Sequence, residues 1–135
     1  MSLNKLLPSL LFVLVISACE DDNKQPTFDK NLLFGKWELQ DAWRNGKKTE
    51  TLSGTYYEFS EDGKMKTNLT PTATEEEFPY SFDGYQIVQK GENEVVYKLD
   101  SLTESVMAVS MVIQKFPFRL VLNKSIAEPD TTAVE

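Results

Sequence analysis

The sequence has no histidine and a single cysteine, Cys19. Without histidine, neither Ser–His–Asp triads nor Cys–His pairs nor the usual zinc sites can be assembled. With one thiol, no intramolecular disulfide can form. None of the six glycines falls in a phosphate-binding loop pattern. Basic residues are also scarce, 14 Lys and Arg against 21 Asp and Glu, for a net charge of −7. Such a balance lacks the positive footprint that nucleic acid requires, and that partner is excluded. Carboxylates alone remain for acid–base chemistry. Glu75-Glu76-Glu77 follows Thr70-Pro71-Thr72 in what reads as an exposed loop, so it is a solvated face. Asp41, sharing strand parity with Trp37 and Leu39, is the one other candidate. The chain is therefore expected to be non-enzymatic, with no metal and no cofactor.

The first segment does not read as part of a fold. Met1 to Lys5 carries one positive charge, and Leu6 to Ile16 is a nearly unbroken apolar run. About eleven residues are too few to span a membrane but suit the core of a signal peptide. Ile16-Ser17-Ala18-Cys19 then resembles the lipobox of bacterial lipoproteins: a branched apolar residue, two small ones and cysteine. The resemblance implies cleavage before Cys19 and lipidation of its thiol, the nucleophilic form of which is the thiolate. It also implies anchoring to the outer membrane by more than one acyl chain, on the periplasmic or the surface side. Residues 1–18 are then a signal peptide and 19–30 a flexible tether. With Lys5 removed, the 14 bases fall by one against 21 acids, about −8. Glu20-Asp21-Asp22 resembles the surface-export signals of some Gram-negative lipoproteins, and reads equally as a solvated linker. At the far end, residues 125–135 show no apolar period and are expected to form a disordered tail.

The body, residues 31–124, reads as one domain of strands. Asp29 can cap a short helical turn over 29–34. Alternation and turn spacing then predict strands over 35–44, 54–61, 64–69, 77–82, 84–90, 94–101, 105–114 and 116–124. Asn45-Gly46, Asp62-Gly63 and Asp83-Gly84 are dipeptides that accept positive φ and close tight hairpins. About eight strands joined this way form a meander, which removes its exposed edges by closing into an up-and-down antiparallel barrel. One face collects Tyr57, Phe59, Tyr80, Phe82, Tyr97, Leu99, Phe116, Phe118, Leu120 and Leu122, an aromatic-rich interior. Segment 105–114 is apolar on both faces, with Val106, Ala108 and Val112 alternating with Met107, Val109, Met111 and Ile113. A strand of that kind must be covered on both sides, by tether, tail or another molecule.

Leu33-Phe34-Gly35-Lys36-Trp37 resembles the Gly-x-Trp opening of lipocalins and of the shorter lipocalin-like (calycin-like) lipoproteins of Gram-negative bacteria. Further matching pieces are Tyr57 to Gly63, Tyr80 to Ile87 and the closing segment Phe118 to Lys124, so the likeness spans residues 30–124. It implies that Trp37 plugs one end of the barrel, that Gly35 lets the chain pass beneath it, and that Arg119 or Lys124 stacks on the tryptophan. Two functions fit. In the first, Tyr57, Phe59, Tyr80, Phe82, Tyr97 and Phe118 line a pocket for a small apolar or amphipathic ligand. In the second, the barrel is filled, and a stripe of Met107, Val109, Met111 and Ile113 on its outside contacts a protein partner.

Overall fold

The turns set the architecture. Asn45 and Gly46 both adopt positive φ, 51° and 76°, giving a two-residue hairpin loop of the mirror-image kind that matches strand twist. Gly63 and Gly84 likewise take φ values of 83° and 106° at their hairpins. The computed structural model describes residues 26–126, and within them these turns join nine strands. They are β1 (Gly35–Arg44), β2 (Lys47–Lys48), β3 (Tyr56–Phe59), β4 (Lys64–Thr67), β5 (Glu76–Phe82), β6 (Gln86–Gln89), β7 (Val95–Leu102), β8 (Val106–Ile113) and β9 (Phe116–Lys124). A 3₁₀ turn, Lys30–Leu32, precedes them, with the Asp29 carboxylate accepting from the Asn31 N–H as its cap. The first eighteen residues with Cys19, the tether up to residue 25, and residues 127–135 of the tail lie outside the described residues.

From β3 onward each strand pairs antiparallel with the next, and β9 returns to pair with β1 along its length, from Trp37↔Lys124 to Arg44↔Phe118. The result is a closed barrel of eight antiparallel strands, with the two-residue β2 attached to the far end of β1. Two register shifts bend it, one in β1 between Leu39 and Asp41, the other in β7 between Leu99 and Ser101. A bulge of this kind inserts one residue and reverses the side-chain parity that follows it. Hence Ala42 points inward and is buried, while Asp41 turns outward to the Lys48 ammonium at 3.0 Å. The parity that placed Asp41 beside Trp37 and Leu39 is thus overturned by the bulge.

One end is plugged. Trp37 is fully buried and its indole N–H donates to the Leu33 carbonyl at 2.8 Å, closing the 3₁₀ turn over the barrel mouth. The Lys124 ammonium sits 5.2 Å from the Trp37 ring centroid, whereas Arg119 stacks on Trp43 instead. Lys124 therefore fills the cation–π role for which both were candidates. Its stem crosses directly over Gly35, where φ is +119° and an added Cβ would lie 2.9 Å from Lys124 Cε. The backbone conformation calls for glycine, and a side chain there would also have to displace the end of the lysine.

A double-mutant cycle checks this latch. Gly35→Ala should destabilise the barrel by about 1–3 kcal/mol through strain and displacement of the ammonium from the indole. In a Lys124→Ala background the same change should cost measurably less, because only the backbone term remains. Equal costs in both backgrounds would refute the contact. A second check concerns the β8–β9 hairpin, which turns on Gln114 and Lys115 with φ values of 51° and 72°. Neither residue tolerates that region well, so Gln114→Asn with Lys115→Gly should raise stability by about 1–2 kcal/mol in denaturant melts.

Candidate functional site

The six aromatics expected to line a pocket do converge, but they fill the lumen. Tyr57, Phe59, Tyr80 and Tyr97 are buried, and Phe82 and Phe118 pack half-buried against the same core. Tyr57 meets Tyr97 edge-on at 5.4 Å and Phe59 meets Tyr80 edge-on at 5.3 Å, the geometry their ring quadrupoles favour. The void left between Tyr57, Phe59, Ile87, Tyr97, Met107, Val109 and Leu122 amounts to about 10 Å³. A space of that size is at the threshold for one water and far below a ligand pocket.

Part of the filling comes from the methionine stripe. Met107, Val109 and Met111 are buried and Ile113 half-buried, all packed with the core. Their cross-strand partners fix the direction: Met107 lies opposite Leu102 and Leu122, and Val109 opposite Leu99 and Leu120. Those partners are interior residues, so the stripe is interior too and is not an outer contact surface. The outward residues of β8 are the alternate set, among them Ser110 and Val112, the latter 65% exposed. Phe116, expected inside, sits exposed at the hairpin tip beneath the Arg44 guanidinium, 4.1 Å from its ring centroid.

Polar groups at the core's centre are held neutral. The Tyr97 hydroxyl donates to Gln89 Oε1 at 2.7 Å, and burial pushes its pKa up to about 12. Burial also pushes the Tyr57 phenol well above its ordinary range. The Tyr57 hydroxyl approaches those of Tyr97 and Thr67 but meets hydrogen-bond geometry with neither. Glu75, Glu76 and Glu77 are exposed. Among the described residues no cluster of three or more metal-ligating His, Cys, Asp or Glu side chains occurs.

The concave space lies on the outside. A groove of about 860 Å³ runs over the outer face of β7, β8, β9 and β1 at the end away from the plug, bordered by Trp43, Val96, Lys98, Val112, Pro117 and Arg119. These are the residues that alternate with the buried Ala42, Tyr97, Met111 and Leu120. Cross-strand register aligns Lys98, Ser110, Arg119 and Trp43 as one row across four adjacent strands. Val96, Val112 and Pro117 form an apolar strip beside it. The β7 bulge aims Asp100 at the row, where it accepts a hydrogen bond from Ser110 Oγ and lies 4.0 Å from Arg119 Nε. The guanidinium carbon of Arg119 is 5.8 Å from the Trp43 ring. Sequence reasoning missed this groove. Only the doubly apolar segment 105–114 pointed toward it, and the wrong face was chosen.

No protein-family description matches this chain, and no curated protein matches it either. A solved structure does: a lipocalin-like protein from Bacteroides uniformis is 18% identical, with a TM-score of 0.50 over 70% of this chain and 99% of that one. At that identity the likeness speaks for the fold alone. The fold is lipocalin-like, a closed antiparallel barrel of eight strands.

The buried phenols give a pH prediction. Their folded-state pKa values exceed the unfolded value of 10, so the native chain holds protons that the unfolded chain releases as pH rises past 10. The stability they contribute is complete below about pH 10 and is lost as pH climbs through 12, by about 2–3 kcal/mol for Tyr97 alone. Absorbance at the tyrosinate band should show two of the five tyrosines ionising only with unfolding. Early, reversible ionisation of all five would contradict the filled core.

Proposed function

We propose that this chain is a lipid-anchored, non-enzymatic binding protein of the outer membrane, tethered through Cys19, that takes a small apolar or amphipathic ligand on the outer face of its barrel. The observation that carries the reading is a contrast in volume, about 10 Å³ within the lumen against about 860 Å³ in the groove. The larger figure lies in the range of small-molecule sites, and the smaller does not. Trp43, Val96, Val112 and Pro117 supply the apolar surface, with Val96 40% and Val112 65% exposed. Exposed apolar side chains set in a concavity favour a bound partner molecule over bare solvent. The lipobox-like Ile16-Ser17-Ala18-Cys19 supports the anchor, and the absence of histidine and of any second cysteine supports a role without catalysis.

Two measurements test this. Mass spectrometry of the native protein should find residues 1–18 removed and Cys19 carrying lipid, and an unmodified Cys19 behind an intact leader would reject the anchor. For binding, the mature chain with Cys19→Ser should enhance the fluorescence of an environment-sensitive fatty-acid probe. The bound probe should quench Trp43 and spare Trp37, the other tryptophan, which is sealed in the core. Val112→Asp should weaken binding at least about tenfold by placing a charge on the apolar strip. Binding that survives Val112→Asp but is lost on Tyr97→Phe would move the site into the lumen.

A further inference from the structure

The groove has a chemical polarity, and from it we infer that its ligand is an amphipathic carboxylate. The anionic head sits between Lys98 and Arg119 and the apolar body lies along Val96, Val112 and Pro117. This rests on the binding reading above. Adjacent strands are about 4.8 Å apart, so Lys98 and Arg119 flank Ser110 with backbones about 10 Å from each other. Two long cationic side chains at that spacing converge on a single head group.

One cation is unpaired and the other only partly engaged by the protein. Lys98 makes no ion pair among the described residues. Arg119 approaches Asp100 through Nε at 4.0 Å, too far for a hydrogen bond, and its side chain is 58% exposed. A guanidinium carries five N–H donors, so most of its capacity is open. Asp100 is directed instead to the Ser110 hydroxyl, and the Trp43 ring lies beside the guanidinium at 5.8 Å. Arg119 is thus held in place with donors to spare, the condition for charge-assisted recognition of a carboxylate. Two cations in an apolar groove also stand against a chain whose net charge is −7. Of the two acids nearby, Asp100 takes the Ser110 hydroxyl at the row itself and Glu94 lies ahead of β7, beyond Val96; the open donors of Lys98 and Arg119 set the head at their end and the body toward the hairpin tips.

The test is displacement of the fatty-acid probe from the mature Cys19→Ser chain by three amphiphiles of equal chain length: dodecanoate, 1-dodecanol and dodecyltrimethylammonium. Dodecanoate should bind at least about tenfold more tightly than dodecanol, and the ammonium most weakly. Lys98→Gln and Arg119→Gln should each lower dodecanoate affinity by about 5- to 20-fold and dodecanol affinity by at most about twofold. Lys98→Gln is the cleaner variant, because Arg119→Gln also removes the contact with Trp43. Equal affinities for dodecanoate and dodecanol, both lost on Val112→Asp, would overturn the carboxylate inference and leave the groove intact. Indifference of every amphiphile to Val112→Asp would instead overturn the groove itself. Sedimentation with phosphatidylglycerol vesicles, abolished by Arg119→Gln in a chain that binds no monomeric dodecanoate, would assign the row to a membrane surface and also overturn the inference.

Discussion

A meander of strands leaves two open edges, and in this chain they are removed only because β9 reaches back to β1. The pairing does more than satisfy backbone groups. It sets Lys124 opposite Trp37, so that the cation covers the indole whose N–H is already given to Leu33. It also lays the lysine stem over Gly35, where the φ of +119° favours glycine and an added Cβ, 2.9 Å from Lys124 Cε, would push the lysine off the indole. Closure also fixes the direction of every other side chain. Once Leu39 and Leu122 face each other inside, parity carries the same sense through β8 and β7 to the aromatics of β3 and β5.

Closing eight strands leaves an interior just wide enough for side chains, and the residues supplied are large ones. Tyr57, Phe59, Tyr80, Tyr97, Met65 and Met107 occupy the space that a ligand would need. The concavity is displaced outward by the same geometry. Bulges in β1 and β7 bend the strands on either side of the long β8–β9 hairpin, and a bulge both bends its strand and increases local twist. The sheet between them presents a hollow on its outer face, and the extra residue in β7, Asp100, is turned onto the polar row there. A strained turn at Gln114 and Lys115 holds the hairpin that walls it.

Much of the barrel is legible in the amino-acid sequence. Local rules place the strands: β1 and β9 fall at Gly35–Arg44 and Phe116–Lys124, the ranges the alternation marks, and Asn45-Gly46 makes the turn its chemistry prescribes. The short β2 is not legible, because two exposed lysines carry no hydrophobic period. The bulge at Gln40 is not legible either, so simple alternation puts Asp41 on the wrong face. On β8 both faces are apolar, and parity cannot be chosen without knowing that Val109 lies across from Leu99 and Leu120. The groove depends on four strands in register from positions 43, 98, 110 and 119. No local pattern holds that information.

The segment leading into the barrel docks at the plugged end, where the Phe28 N–H donates to the Gly84 carbonyl at 2.7 Å and Thr27 packs against Gly84. The groove opens at the opposite pole, beside the Asn45-Gly46 and Gln114-Lys115 hairpins. Any pull or attachment acting through the residues before Pro26 therefore reaches the body through its sealed base. On the anchor proposed above, the groove is set at the pole farthest from the point of attachment.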